Sequence, residues 1–382
     1  MKSGRCLPLN NYRLTPLKNT TKNKARIMSN VLQQIDEPVI EKKSKWMPIA
    51  ASLLLFMVIV VASLPTIQEA FPNGAVTIEQ VDIPDVEYAG LIMSTYLEET
   101  NEIILQQQNA IIAYNVNEKS KEMLVEVGEA NIFESVVNEK WIVWEQFIGN
   151  EKSKMFAKNR ETGDVKEIQI HAVGDVHIDG DILIVQSFLL REKDFYDIGY
   201  VRYNLLSDEY IPIQIFSEDY TSGQGTYGNG TLVVTEQLKH ETQFQVYNTE
   251  TLQNTANFLL RVTEVKRMQI QGDELFILYD DYEGTKLGVL NIETKQFEFE
   301  QLQIDASVTD YATDGKMFAI QTTNGEEDDE DNVSMFTREG NELKLYSSLS
   351  QIEERIVRPK LEGNTFVVYG DKEHQIYFLT ME

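Results

Sequence analysis

Six carboxylates stand in a row at residues 326–331, and clustered carboxylate oxygens are the ligands that hard cations such as Ca²⁺ prefer. The run consists of Glu326, Glu327, Asp328, Asp329, Glu330 and Asp331. It lacks the alternating ligands and the central glycine of an EF-hand loop, and runs of like charge usually form solvated loops. We therefore predict no cofactor, with a Ca²⁺ site at this run as the alternative.

Two shorter acidic motifs also have the residue types of a metal site. They are Asp179-Gly180-Asp181 and Gly272-Asp273. Glycine supplies the positive φ that tight turns need, and an aspartate side chain in a turn bonds to nearby backbone. Turn chemistry therefore explains both motifs better than metal binding does.

The catalytic inventory is sparse. The histidines, His171, His177, His240 and His374, have no ligand spacing, and no Gly-x-Ser-x-Gly, His-Glu-x-x-His or phosphate-loop pattern occurs. Cys6 is the only cysteine, so the chain has no intrachain disulfide. The sequence thus favours a protein that is not an enzyme. An active site assembled from residues that are scattered along the chain stays open.

Charge divides the chain into two parts. Residues 1–45 have ten basic and three acidic residues, and residues 46–64 have none. Of the 34 basic and 61 acidic residues in the whole chain, this leaves 24 and 58 for residues 65–382, a net charge of -34. So acidic a region disfavours binding to nucleic acid.

The uncharged stretch 46–64 is predicted to be a transmembrane helix. Its 19 mostly apolar residues cover about 28 Å as a helix, close to the thickness of a bilayer core. Lys42, Lys43 and Lys45 precede it, and the next basic residue is Lys119, which orients the N-terminus to the cytoplasm. A cleavable signal peptide is the alternative, although 45 residues is long for the region before its apolar core. We expect a single-pass protein of the cell membrane in contact with lipid through 46–64, with residues 65–74 as a linker to an extracytoplasmic domain.

The basic stub 1–45 contains a candidate amphipathic helix near 21–36. Its apolar stripe consists of Ile27, Met28, Val31, Leu32 and Ile35. Such a helix lies on anionic lipid or docks into a groove of a cytoplasmic partner, and both readings stay open. The layout of basic stub, single span and external domain resembles that of bacterial membrane-bound anti-sigma factors, which implies signal relay. The zinc-type signature of that class, a His followed by Cys-x-x-Cys, is absent.

A four-strand pattern recurs through the rest of the chain. Its clearest copy is 264–302, and the turn after its third strand, at Asn291, has counterparts near Asn115, Asn159, Asn204, Asn248 and Thr337. Consecutive turns are 44, 45, 44, 43 and 46 residues apart. Short β-branched and aromatic runs at this period, without helical periodicity, predict a β-propeller.

Counting third strands gives seven blades, so we predict an all-β, seven-bladed propeller of four-stranded blades over residues 75–382. The last blade lacks its outer strand, and a spare strand at 75–83 precedes the first blade. We predict that this strand pairs with 375–379 and closes the ring. The repeats resemble degenerate propellers of the WD40, YVTN-type and TolB-like groups, although no blade has the Gly-His and Trp-Asp residues of WD40 repeats. The resemblance implies a scaffold and transfers no functional residue.

Function is therefore predicted from architecture. The loops joining second to third strands, such as 280–284 and 323–332, lie on the face where propellers usually bind ligands. We predict a binding, scaffold or signal-relay protein with a protein partner on this face. The alternatives are an extracytoplasmic hydrolase or lyase with its site at the central pore, and a structural subunit of a cell-envelope complex.

Overall fold

The computed structural model describes residues 76–86, 94–147, 153–190, 196–216, 223–238, 241–293, 299–304, 307–323, 332–370 and 375–381. The predicted stub 1–45, span 46–64, linker 65–74 and carboxylate run 326–331 lie outside these residues. None of the described segments forms a helix long and apolar enough to cross a membrane.

The described residues form 28 β-strands in seven antiparallel four-stranded sheets, which confirms the predicted all-β propeller. The first strand, β1, is Val76–Val81. Blade 1 is β2 (Thr95–Leu97), β3 (Glu102–Gln106), β4 (Ala110–Asn115) and β5 (Ser120–Glu126); blade 2 is β6 (Asn131–Val137), β7 (Trp141–Phe147), β8 (Lys154–Asn159) and β9 (Val165–Ile168). Blade 3 is β10 (Ala172–Asp179), β11 (Ile182–Leu190), β12 (Tyr196–Asn204) and β13 (Glu209–Ile215); blade 4 is β14 (Gly225–Gly228), β15 (Thr231–Gln237), β16 (Thr242–Asn248) and β17 (Gln253–Leu260).

The remaining blades follow the same order. Blade 5 is β18 (Glu264–Gln271), β19 (Glu274–Asp281), β20 (Gly284–Asn291) and β21 (Phe299–Gln301); blade 6 is β22 (Ser307–Thr313), β23 (Met317–Thr323), β24 (Asn332–Glu339) and β25 (Glu342–Ser347). Blade 7 is β26 (Ile356–Glu362), β27 (Thr365–Gly370) and β28 (Ile376–Met381), and its fourth strand is β1. In each blade the first strand lies nearest the propeller axis and the fourth lies outermost.

The predicted ring closure is present. β1 pairs with β28 in antiparallel register from Val76 opposite Met381 to Val81 opposite Ile376. The pairing gives blade 7 its outer strand, so β28 is covered and blade 7 has four strands like the other blades.

The core consists of layers between neighbouring blades. Second strands are apolar on both faces because each face is covered by an adjacent blade; Leu232, Val233 and Val234 of β15 are all fully buried. Between blades 5 and 6, the rings of Phe276 and Phe318 meet edge to face at 5.3 Å. Tyr311 is buried beside them, and its hydroxyl donates to the Phe276 carbonyl oxygen at 2.7 Å.

The asparagines that recur at the blade period each stabilise the turn between the third and fourth strands of a blade. Asn159 and Asn248 each accept backbone N–H bonds at Oδ1 from the residues two and three positions later, at 2.8–3.1 Å. Asn204 does the same. The other predicted turns fit as well, since Gly180 and Gly272 have φ values of 53° and 56°. Both motifs are therefore turns, as predicted. The carboxylates of Asp179 and Asp181 bond to side chains of neighbouring blades and not to nearby backbone, since Asp179 accepts from Tyr227 and Asp181 accepts from Lys140 and Trp141.

Polar contacts also join the blades on the face where these turns lie. The Arg160 guanidinium of blade 2 bonds to Glu102 of blade 1 at 2.6 Å. Arg338 of blade 6 donates from Nη1 to both carboxylate oxygens of Glu274 in blade 5, at 2.9 and 2.8 Å. Such pairs link consecutive blades through residues that are 58 and 64 positions apart in the chain.

Candidate binding site around the propeller axis

A β-bulge interrupts the innermost strand of five blades near its start. The register shifts between Ile132 and Glu134 in β6, Ala172 and Val176 in β10, Val265 and Arg267 in β18, Val308 and Asp310 in β22, and Val357 and Lys360 in β26. A bulge bends its strand and re-aims a side chain, and bulges are enriched beside functional sites. These bulges lie at the end of the propeller that carries the loops between second and third strands, which we call the loop face.

The bulges place unlike residues around the axis. We define the bulge ring as Phe133, Gly174, Lys266, Thr309 and Arg358. Its four side chains are exposed, and Phe133 is 64% exposed. The innermost strands are thus the source of a varied surface at the mouth of the central channel.

Glutamines of the preceding blade hold two of the bulges. In β3, Gln106 donates from Nε2 to the Phe133 carbonyl oxygen at 3.1 Å and accepts from the Ser135 hydroxyl at 2.8 Å. In β23, Gln321 accepts from the backbone N–H of Arg358 at 2.8 Å. Both glutamines face the bulge of the next blade, so the ring's backbone is fixed by contacts between blades.

Blades 2 and 3 form the acidic side of the axis, which we define as Glu134, Glu145 and Asp175. Glu134 and Glu145 lie opposite each other in the pairing of β6 and β7. Burial, reinforced by the charges of Asp175 and Glu145, raises the pKa of Glu134 to about 7. Burial also raises the pKa of Glu145. Asp175 is held in place, accepting from the Tyr200 hydroxyl and the Gly225 N–H, each at 2.7 Å.

An aromatic pair borders the acidic side. The rings of Phe133 and Phe147 meet edge to face with centroids 5.7 Å apart. Both are exposed, Phe147 by 38%. This part of the loop face therefore offers apolar rings next to carboxyl groups.

Blades 5 and 7 form the basic side, which we define as Arg267, Arg358 and Lys360. Arg267 makes an ion pair with Asp310 of blade 6 and donates from Nη1 to the Pro359 carbonyl oxygen at 3.5 Å. Blade 6 lies between blades 5 and 7 in the ring. A contact between them therefore places the Arg267 guanidinium at the axis.

Lys360 and Glu362 lie deeper on the same side. The Lys360 ammonium donates to the Ser94 carbonyl oxygen at 2.6 Å and lies 5.4 Å from the Tyr369 ring centroid. Burial lowers the pKa of Lys360, and the charges of Arg267 and Arg358 lower it further while Glu362 opposes them. Burial raises the pKa of Glu362 to about 7 against the opposing effect of Lys360 and Arg267. Perturbed titrations on both sides of the axis mark it as the candidate functional site.

Of the four histidines singled out in the sequence, two lie in the part of the chain that the structure describes. His171 directly precedes β10 and His177 lies within it. His240 and His374 lie outside the described residues. Burial lowers the pKa of His177, against the charge of Asp175, and its Nε2 has no hydrogen-bond partner among the described residues. No group of three or more His, Cys, Asp or Glu side chains in the described part of the chain is arranged to hold a metal ion.

The other predicted site residues stay predictions. Glu326 to Asp331, and the stripe of Ile27, Met28, Val31, Leu32 and Ile35, fall outside the residues that the structure describes. The bulge ring was not predicted from the sequence. The sequence has a signal for it, because an apolar residue is followed two positions later by a charged residue at 132–134, 265–267 and 308–310.

A groove of about 670 Å³ lies away from this ring, beside the closing strands. It is lined by Ile78 and Gln80 of β1, Gln375 and Tyr377 at β28, and residues 351–354. The Tyr377 hydroxyl donates to Glu354 there at 2.7 Å. The groove is formed by the closure of the ring, and it brings together fewer charged groups than the axis does.

Comparison with known proteins identifies the architecture alone. No family model and no curated protein sequence matches the chain. The fold is similar to a chain of a mitotic checkpoint complex (TM-score 0.55, 10% identity, 97% of this chain and 99% of that chain). It is also similar to an oligogalacturonate lyase from Vibrio parahaemolyticus (TM-score 0.54, 10% identity, 81% and 98%) and to an acylaminoacyl peptidase from Pyrococcus horikoshii (TM-score 0.51, 12% identity, 78% and 53%). This chain thus spans about half of the peptidase, and identities this low carry the propeller fold and no activity.

Proposed function

We propose that this protein is a binding protein: a membrane-anchored propeller that takes up a protein partner on its loop face. The observation that carries the proposal is the bulge ring. One structural device recurs in five blades and, in four of them, exposes a side chain of a different type, which suits recognition of an asymmetric partner.

Exposed aromatic side chains on the loop face support this proposal. Besides Phe133 and Phe147, they include Phe188 near the end of β11, 45% exposed, and Tyr282 in the turn after β19, 83% exposed. Aromatic residues are enriched in the cores of protein interfaces. Large apolar side chains gathered on one face of a soluble domain mark binding surfaces.

Photo-crosslinking in cells tests the proposal. The full chain would carry benzoylphenylalanine in place of Phe133 or, as a control, in place of Val165 at the start of the outermost strand of the same blade, 55% exposed. We expect a discrete adduct from position 133 and none from position 165. Equal yields at the two positions, or no adduct from either, would argue against a partner on the loop face.

The anchor is part of the proposal. We propose that residues 46–64 cross the membrane once and leave the N-terminus in the cytoplasm. The single cysteine, Cys6, gives a direct test with a membrane-impermeant maleimide. Cys6 should label only after permeabilisation, whereas a Cys6→Ser, Lys344→Cys chain should label in intact cells. Labelling of Cys6 in intact cells would refute this orientation.

We further propose that the stub relays the binding state through its apolar stripe. Replacing Val31 and Leu32 by Asp in the full chain should abolish capture of a cytoplasmic partner while leaving the crosslink at position 133 unchanged. If membrane association itself is lost instead, the stripe binds lipid and relays nothing.

An enzyme is the second candidate, favoured by one observation. Glu134 titrates near neutral pH beside the axis, as a general acid or base requires. Because one structural neighbour is an oligogalacturonate lyase, oligogalacturonate is a reasonable probe. The enzyme reading predicts an unsaturated product from the wild type and none from Glu134→Gln. Absence of product with the wild type removes this substrate from consideration.

A further inference from the structure

We propose that the basic side of the axis binds a carboxylate group of the ligand, with Arg358 as the residue that receives it. The inference deepens the proposed function and rests on it. It names the chemistry that one part of the loop face recognises.

The backbone of Arg358 is the first reason. Its φ is 53°, in the left-handed region that non-glycine residues avoid, and it precedes Pro359, which disfavours helical backbone at this position further. The N–H bond to Gln321 of the neighbouring blade holds this conformation. Glycine would occupy the position without strain, so the arginine is explained by what its side chain does.

The side chain is the second reason. Arg358 is exposed, and its guanidinium makes no hydrogen bond or ion pair with the described residues. The other two cations of the basic side are engaged, Arg267 by Asp310 and Lys360 by the Ser94 carbonyl oxygen. Arg358 is therefore the cation of this group that is available to a ligand.

Charge is the third reason. Three cations lie close together on the basic side, and the carboxylate of Asp310 already forms an ion pair with one of them, Arg267. The surroundings are strongly acidic, since residues 65–382 carry a net charge of -34. An anion that binds to this protein must overcome that field, and the basic side is the place around the axis where local charge favours it. Complementarity of this kind selects one part of a ligand and fixes its orientation.

The geometry of guanidinium favours a carboxylate. Its planar fork donates two parallel N–H bonds to the two oxygens of a carboxylate, and the same donors also suit phosphate. The acidic side, across the axis, would repel the charge of nearly two units that a phosphate concentrates on one group more strongly than the single charge of one carboxylate group. A carboxylate on an acidic side chain or at a chain end is therefore the group that we assign.

The test uses the purified full chain in mild detergent and fluorescein-labelled hexaglutamate, followed by anisotropy. We expect saturable binding of hexaglutamate and none of hexaglutamine. Arg358→Gln should weaken binding at least about tenfold, because one charge-assisted contact is lost. Lys344→Gln is the matched control: it removes the same charge from an exposed position on β25 and should leave the affinity unchanged.

A second variant separates binding from folding. Arg358→Gly relieves the left-handed strain, so it should keep or raise Tm by about 1–3 °C while binding is lost. Absence of hexaglutamate binding, unchanged binding by Arg358→Gln, or tighter binding of inorganic phosphate than of hexaglutamate would each overturn the carboxylate assignment. The crosslink from position 133 reports on the proposed function separately: if it persists while hexaglutamate fails to bind, only the present inference is lost.

Discussion

Val76 of β1 lies opposite Met381 of β28, and these are the first and the last residues that the structure describes. The two ends of the propeller are therefore joined by antiparallel strand pairing over six residue pairs. Because the seven blades form a ring, this pairing is what makes the last blade complete. Opening of the ring would begin where β1 leaves β28.

A disulfide across this pairing should form without distortion. Thr77 and Thr380 are directly opposite and both exposed, so Thr77→Cys and Thr380→Cys in a Cys6→Ser chain should crosslink spontaneously. The bond would close almost the whole propeller, and the chain-entropy model gives an upper limit of about 6 kcal/mol of stabilisation for a loop of this length. Non-reducing electrophoresis and urea unfolding measure both effects. The mismatched pair Glu79→Cys with Thr380→Cys, where Glu79 faces Phe378, should crosslink poorly; equal yields would contradict the register.

Glu134 should make the stability of the protein depend on pH. The unfolded chain releases this proton near the usual value of 4.5, whereas the folded protein holds it up to about pH 7. Between these values the folded state binds more protons, so the stabilising contribution is complete below about pH 4.5 and is lost as the pH rises through about 7. Glu134→Gln stays neutral, so at pH 8 we expect it to be more stable than the wild type by about 2 kcal/mol, with little difference at pH 4.5.

Urea unfolding at pH 4.5 and pH 8 measures this difference. Glu122→Gln, at an exposed position on β5, is the control and should change neither value. If Glu134→Gln and the wild type show the same pH dependence, the carboxyl of Glu134 is ionised at neutral pH and the predicted rise in its pKa is wrong.

The bond between Arg338 and Glu274 should couple blades 5 and 6. Both oxygens of Glu274 accept from the same guanidinium nitrogen, and the two side chains are largely shielded from water. A double-mutant cycle of Arg338→Met and Glu274→Gln should give a coupling energy of about 1 kcal/mol in favour of folding. The matched control is the exposed pair Lys344–Glu339 on blade 6, for which we expect no measurable coupling. Equal couplings would mean that shielding from solvent contributes nothing at this contact.

We predict that the carboxylate run 326–331 does not bind Ca²⁺, so that calcium does not change the thermal stability of the protein. Its spacing lacks the ligand pattern of calcium loops, so six adjacent charges repel one another and stay hydrated. We expect the same Tm in excess EDTA and in millimolar CaCl₂. A rise in Tm with Ca²⁺ that is abolished by replacing Asp328, Asp329 and Glu330 with Asn and Gln would establish the alternative, a site at this run.

Much of the fold was predictable because each blade repeats its own local chemistry. Asn159, Asn204 and Asn248 cap turns through their own side chains, and that requirement acts within three residues. The blade period and the need for a partner strand for β28 follow from such local signals. The loop face and the central pore were predicted as places for a site, but the residues of the candidate site were not, because the groups at the axis come from blades 2, 3, 5, 6 and 7 and are not clustered in the sequence.

The sequence by itself determined an all-β chain of seven repeats closed by its own first strand, since turn residues and buried strand runs act over short distances. Only the tertiary structure decided the bulge ring and the division of charge around the axis. A bulge is a relation between two strands, and one residue at 133 or 358 is exposed only because its partner strand has no residue to match it. Arg267 and Pro359 are 92 positions apart in the chain, and they meet because three successive blades turn around one axis.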